Sequence, residues 1–264
     1  MVIDQSSPVS SRLIQYFGSL LPPNVARSQK TTETFTLRQL PLITTEDQQE
    51  TILLASASPR RSELLNQIKV RHLVINVPAG PGEDEPRLAG EPPLEYVMRT
   101  AMHKSARANQ WILSGGFKQA QGDMTEIADM KHAPPIILTA DTTVCIDNEI
   151  LGKPKNKNNA FEILKQLSGR AHLVHTAVVL SRSSQIWSAL STTEVVFDTL
   201  SDVDINQYIQ SGEPFGKAGA YGIQGLAATF VKRINGSYSG VMGLPLHETS
   251  ELMKQAHARR HCSE

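Results

Sequence analysis

The side chains of this chain that could handle phosphate gather in a few short stretches. Asp141 follows the apolar run Ile136–Ala140 and precedes Thr142 and Thr143. A carboxylate at the end of a buried strand stands where open α/β sheets usually place their sites. It can ligate a hard divalent cation through oxygen, or orient and deprotonate a water for attack on phosphorus. An aspartate that merely closes a turn or caps Thr hydroxyls has the same local signature. Arg60 and Arg61 pose a second question, because Ser58 and Pro59 place them in the first turn of a predicted helix. Cations are disfavoured at that end of the helix dipole. Phosphate there would be favoured by free amides, dipole and guanidinium groups together; two solvated arginines are the plain alternative.

Lys153 in GKP and Lys217 in FGKAGAYGIQG add point charges for phosphate oxygens. Glycines at 216, 219, 222 and 225 allow close backbone approach to a ligand. Gln224 in that loop carries an amide that donates and accepts side by side. It matches a pyrimidine edge with a carbonyl beside an N–H, although an exposed glutamine on a structural glycine loop would look the same.

Other site patterns are absent. The glycines of GEPFGKA are too close for a P-loop, and Ala218 stands where Ser or Thr would hold Mg²⁺. No GxGxxG follows a strand. His172 and His175 fall on opposite faces of a predicted strand and are poor joint metal ligands. Ser58 lacks a nearby His–Asp partner motif, which argues against a hydrolase nucleophile. Cys145 and Cys262 are too few for a disulfide scaffold or a cysteine zinc site.

These residues require a scaffold, and the pattern supplies one. Thr51 to Ile68 reads as strand, tight turn and helix, with Ser58 as N-cap, Pro59 at the first helical position, and Leu64, Leu65 and Ile68 on one apolar face. Leu73, Ile75 and Val77 alternate on a second strand. After the loop PGEDEPRLAGEPP, a helix begins at Pro93 with Leu94, Val97, Met98 and Ala101 facing inward and Lys104 and Arg107 farther along. Residues 114–135 read as a surface insertion. Ile136 to Leu151 forms a hairpin turning at Asp147-Asn148, and Asn158 or Asn159 caps a helix burying Phe161, Leu164 and Leu167. A second hairpin spans His172 to Leu200, and Ser201 or Asp202 caps a helix ending at Gly212. ATFVKRI is a strand, NGSYSG a turn and HETSELMKQAHARR a final helix. Strands alternating with helices, plus antiparallel hairpins, predict an α/β domain with a mixed sheet and α+β character.

A chain of 264 residues, 40% hydrophobic and 20% charged, is ordinary for a globular protein of this class. Its net charge of +0 argues against a nucleic-acid polymer as partner, and no stretch is apolar enough to span a membrane. Residues 1–48, rich in Ser, Thr, Pro and Gln, read as a mobile extension before a single domain over 49–264. The expected location is cytoplasmic, with a mitochondrial transit peptide as the alternative for the leader.

Taken in order, SASPRR, ADT, GKP, LSGR and KAGAYGIQG…INGSYSGVMGLP resemble the Maf (septum-formation protein) family of nucleoside triphosphate pyrophosphatases over roughly residues 50 to 258. The resemblance implies the elongated sheet of inosine-triphosphate pyrophosphatases with a cleft between two lobes. It implies hydrolysis of a nucleoside triphosphate to monophosphate and pyrophosphate with Mg²⁺ or Mn²⁺. It places the catalytic aspartate at Asp141 and active-site lysines at Lys153 and Lys104, with specificity positions at Arg60, Thr142 and Gln224. Ser58 and Arg61 would support the phosphate contact. That combination is similar to the branch acting on dTTP and UTP; purine or modified nucleotides, or a catalytically silent binding module, are the competing readings. The second metal-binding acid falls on Glu85 in GPGEDEP, with Glu83 as the other match. The text NVPAGPGEDEP, the leader and the 114–135 insertion depart from the family pattern. A homodimer is also implied.

Overall fold

A computed structural model describes residues 50–78, 86–116 and 134–258. The leader, most of the predicted insertion, and both Glu83 and Glu85 lie outside the described residues. The described elements run β1 (Ile52–Leu54), α1 (Pro59–Gln67), β2 (His72–Val74), α2 (Pro93–Leu113), β3 (Ile137–Ile146), β4 (Glu149–Leu151), α3 (Lys157–Leu167), β5 (Ala171–Arg182), β6 (Gln185–Phe197), α4 (Asp202–Gln210), β7 (Val231–Asn235), α5 (Tyr238–Met242) and α6 (Leu246–Ala258).

The strands form one mixed sheet in the order β2-β1-β3-β5-β6-β7, with β4 paired to β3. β1 runs parallel to β2 and β3, and every other pairing is antiparallel. The expected mixed-sheet class is thus present. Parallel β1 pairs with Ile137 and Leu138 only, while β4 pairs with Val144 to Ile146. Between those contacts β3 has no strand neighbour on that edge among the described residues. Asp141 lies in this gap, mid-strand rather than at a strand end as its sequence context suggested. The strand does not stop there, because Thr142 and Thr143 continue the β5 ladder opposite Thr176 and His175. At the far end, Asp147 and Asn148 both take positive φ (49° and 65°), the signature of a two-residue type I′ hairpin.

Strand alternation divides the core. On one face Leu53 and Ile137 join Ile75, Ala108 and the partly buried Leu73 and Val77 beneath α2. The same face hangs α2 on the sheet through Thr139 Oγ1, which donates to Ala101 O at 3.3 Å, and Ser105 Oγ, which donates to Ser181 Oγ at 3.1 Å. The opposite face carries two apolar clusters. Ile52, Leu54, Leu138, Ala140, Val178, Leu180 and Ala189 meet α1 and α6. Val144, Ile146, Val174, Val195 and Phe197 meet α3 and α4. The cross-strand row separating them, Thr142–Thr176–Ser191, is made of hydroxyls. Thr176 and Ser191 in that row are buried, and the Thr176 hydroxyl is held by Thr142 Oγ1 and Gly240 O, so polar groups between the two apolar clusters are satisfied by the protein.

Local corrections have local causes. Ser58 occupies the N-cap position, but its side chain makes no cap bond; instead its N–H donates to Ser56 Oγ at 3.2 Å. Asn156, not Asn158 or Asn159, caps α3, accepting from Asn159 N at 2.9 Å. Asn159 Oδ1 reaches back to Lys155 N at 3.1 Å, so the expected cap residue is already inside the helix. Leu94 is exposed, because the inward face of α2 runs through Pro93, Val97 and Ala101 and Leu94 lies off it. Leu226–Phe230 forms a 3₁₀ turn before β7, which begins only at Val231. The expected NGSYSG turn is Gly236 followed by helix α5, capped by Ser237 accepting from Gly240 N at 3.0 Å. Ser201 caps α4 as expected, in a reciprocal box with Asp204.

Candidate active site

Asp141 points toward α2, whose Thr100 and Lys104 stand one turn apart on the same face. Thr100 Oγ1 donates to Asp141 Oδ2 at 2.8 Å, and the Lys104 ammonium is ion-paired with Oδ1. The Asp141 carboxylate is 16% exposed and the Lys104 side chain 33%. Both oxygens are thus oriented before any substrate arrives, which is the pre-organisation that charge-stabilising sites require.

Thr142 points to the other face, onto the hydroxyl row. Its Oγ1 lies 3.0 Å from Thr176 Oγ1 and accepts from an η nitrogen of Arg61 at 3.4 Å. Thr176 also donates to Gly240 O at 2.8 Å, tying β5 to α5. The arginines reach this face from the start of α1. Arg61 Nε donates to Gly243 O at 2.8 Å and its other η nitrogen to Ser56 Oγ at 2.9 Å. Arg60 Nε donates to Met242 O at 3.3 Å. The carbonyls that close α5 therefore hold both guanidinium groups, which explains how two cations persist at a helix start. Burial lowers the Arg61 pKa to about 10; Asp141 opposes that shift and the Arg60 charge adds to it. Arg61 remains a cation at neutral pH and lies within electrostatic reach of Asp141.

Lys153 is exposed just after β4, in a segment joined to the glycine loop by Gly219 N–H donating to Gly152 O at 3.2 Å. Lys217 has its pKa lowered by burial and then by the Arg60 charge, against the opposing pull of Glu213. Its electrostatic neighbour is thus the arginine at the start of α1. Gln224 is exposed on the same loop. Asp141, Lys104, Thr142, Arg60, Arg61 and Ser58 share the edge around the β3 gap, and Lys217 extends it through Arg60.

His172 and His175 are core residues. His172 Nε2 lies 2.9 Å from Tyr221 Oη and His175 Nδ1 lies 2.9 Å from Thr192 Oγ1. Among the described residues no group of three or more His, Cys, Asp or Glu side chains converges as a metal site. The donor chemistry at Asp141 nevertheless suits Mg²⁺ or Mn²⁺, since such an ion takes one or two carboxylates and completes its shell with substrate phosphates and water.

Sequence reasoning passed over Thr100, Thr176 and the closer involvement of Arg61. Thr100 was accessible from its spacing of four residues before Lys104 on a helix. Thr176 required the β3–β5 register, and Arg61 required contacts made 182 residues away.

The sequence profile of the family described as Maf-like protein matches residues 51–256. A protein of Bordetella avium named dTTP/UTP pyrophosphatase is 47% identical over 206 residues, covering 78% of this chain and 94% of that protein. A dTTP/UTP pyrophosphatase of Ralstonia nicotianae is 48% identical over 208 residues, covering 78% and 93%. One of Shigella boydii is 44% identical over 209 residues, covering 79% and 94%. With ADT on β3, SPRR opening α1 and the glycine loop beside Lys217, and with a profile match spanning the described structure, the chain belongs to the Maf family.

Proposed function

We propose that this protein hydrolyses nucleoside triphosphates, dTTP and UTP foremost, to the monophosphate and pyrophosphate. The observation that carries the reading is the Asp141 carboxylate, oriented by Lys104 and Thr100 beside a cluster of cations from α1 and the glycine loop. The names of the similar bacterial proteins support the substrate class.

In this reading the attacking water is hydrogen-bonded to Asp141 and directed at the α-phosphorus. Lys104 fixes the carboxylate and shares the charge of the phosphates. Asp141, with Glu85 as second acid, would hold Mg²⁺ or Mn²⁺; such an ion supplies a more acidic water and neutralises phosphate charge when bound. Arg60, Lys153 and Lys217 neutralise the triphosphate and the departing pyrophosphate. Arg60 donates to the protein through Nε, and its fork has further N–H donors for phosphate oxygens. The Gln224 amide reads the O4/N3 edge of uracil or thymine, a pattern that cytosine reverses. The same reading places the enzyme in the cytoplasm as a homodimer.

The test is pyrophosphate release from a panel of dTTP, UTP, CTP, ATP, GTP and inosine triphosphate, with and without Mg²⁺. Fastest release from dTTP and UTP, lost on chelation, is expected. Preference for purine triphosphates would overturn the substrate assignment, and UTP binding without release of pyrophosphate from any triphosphate would overturn the activity.

A further inference from the structure

The segment Gly222–Ile223–Gln224–Gly225 is anchored at both ends by a single carboxylate that the proposed chemistry does not use, that of Glu213. On the far side of Gln224, Leu226 N–H donates to Glu213 Oε2 at 2.8 Å and Ala227 N–H to Oε1 at 3.4 Å. On the near side the connection runs through Tyr208, whose hydroxyl donates to Glu213 Oε1 at 2.9 Å and accepts from Gly222 N at 3.3 Å. Burial, reinforced by the bond to Glu213, raises the Tyr208 pKa, so the hydroxyl keeps the proton it donates. Between the anchors Ile223 is buried and Gln224 is exposed.

The glycines follow from the same carboxylate. A Cβ at Gly225 would stand 2.4 Å from both Glu213 oxygens. One at Gly222 would stand 3.0 Å from Lys217 Cε and 3.4 Å from Glu213 Oε1. The backbone on either side of Gln224 is therefore drawn down onto Glu213 and Lys217, and a side chain at Gly225 would have to displace the Glu213 carboxylate from its present bonds. Lys217 donates in turn to the Glu213 main-chain carbonyl.

We propose that Glu213 is a specificity-positioning residue, which sets the placement of the Gln224 amide by clamping Gly222, Leu226 and Ala227. The proposal rests on the reading of Gln224 as the base-selecting residue. Glu213 itself touches neither base nor phosphate and acts only through the loop it holds. Misplacement of a selecting group by about 1 Å costs on the order of a hundredfold in rate. A loosened loop should therefore erase discrimination between uracil and cytosine before it erases hydrolysis.

The experiment compares full-length wild type with E213Q, Y208F, Q224A and the double variant E213Q/Q224A. It measures kcat and KM for UTP and for CTP by pyrophosphate release. E213Q should lower the UTP-to-CTP ratio of kcat/KM by roughly ten- to a hundredfold, chiefly by raising KM for UTP. The double variant should show no further loss of that ratio beyond Q224A, because both changes remove one function. Y208F cuts only the Gly222 anchor and should give a smaller loss in the same direction; it carries the test if E213Q does not fold. Parallel loss on UTP and CTP, with the ratio intact, is what a purely structural role gives and would overturn the proposal, as would multiplicative effects in the double variant. A ratio collapsed by Q224A but untouched by E213Q and Y208F removes Glu213's part alone. A ratio indifferent to Q224A removes the base-reading role of Gln224, and this inference with it.

Discussion

Lys104 and Asp141 form an ion pair across the α2–β3 interface, with Thr100 on the other carboxylate oxygen at 2.8 Å. The pair explains why a carboxylate sits in the middle of a strand flanked by apolar residues. Leaving it without partners there would carry a desolvation cost that the lysine and the hydroxyl offset.

Replacing Asp141 by Asn keeps the shape and the Thr100 contact while removing the charge. Losing a comparable charge-stabilising contact costs about 3 kcal/mol in the transition state, roughly a hundredfold in rate. Turnover of UTP by D141N should fall at least that far, with circular dichroism and cooperative unfolding retained. Near-wild-type turnover would remove Asp141 from the chemistry.

Arg61 is expected to matter more to structure than Arg60. Its guanidinium bridges Gly243 O, Ser56 Oγ and Thr142 Oγ1, whereas Arg60 makes one bond to Met242 O. Lysine keeps the charge but not the planar fork. R61K should lose on the order of 2 kcal/mol of unfolding free energy, and R60K less than half as much while still weakening UTP binding. Equal denaturation midpoints for the two variants would contradict this ordering.

Gly219 has φ +68°, and a Cβ there would lie 2.8 Å from Val144 Cγ1. Both the positive φ and the clash with a buried β3 side chain act against any larger residue. G219A should destabilise the protein by about 1–3 kcal/mol. Urea denaturation checks it, and an unchanged midpoint would show that the loop moves aside freely.

His172 is buried, and burial alone lowers its pKa from 6.5 to about 4. The unfolded chain binds this proton below pH 6.5, while the native state resists it until about pH 4. The unfolded state therefore holds more protons in that window, and stability falls as pH falls through it. The full shift corresponds to roughly 3 kcal/mol. The lowered pKa of His175 acts in the same direction. Unfolding free energies measured between pH 7.5 and 4.5 should decline, and H172Q should decline less steeply than wild type; identical slopes would remove His172 as a cause.

Much of this architecture is legible in the chain because its determinants are local. The second strand, the turn at Asp147-Asn148 and the Ser201–Asp204 box each rest on residues a few positions apart, although that strand ends at Val74 and the expected Ile75 and Val77 lie beyond it. The Asp-Thr of β3, the arginine pair and the glycine loop are visible as chemistry for the same reason. What stayed hidden depends on pairing between distant segments. Asp141 reads as a strand end because the hydroxyls after it interrupt the apolar run, and only the β5 register shows that Thr142 belongs to a polar row across the sheet. Arg61 appeared secondary because its acceptors are the carbonyl of Gly243 and the hydroxyl of Thr142. Glu213 was overlooked because two of its partners, Leu226 N–H and Ala227 N–H, are backbone amides, which leave no residue-type signature. The Asn156 cap was missed for a simpler reason, as several asparagines lie within reach of the same helix start.

The bond from Arg61 to Gly243 joins residues 182 positions apart. A ribosome delivers Arg60, Arg61 and Asp141 well before the carbonyls that hold the two arginines in place. A nascent chain arrested before α5 emerges should therefore contain the acid and the cations but not their arrangement. Activity should appear abruptly, when α5 and Gly243 have cleared the exit tunnel, rather than growing in proportion to the length synthesised.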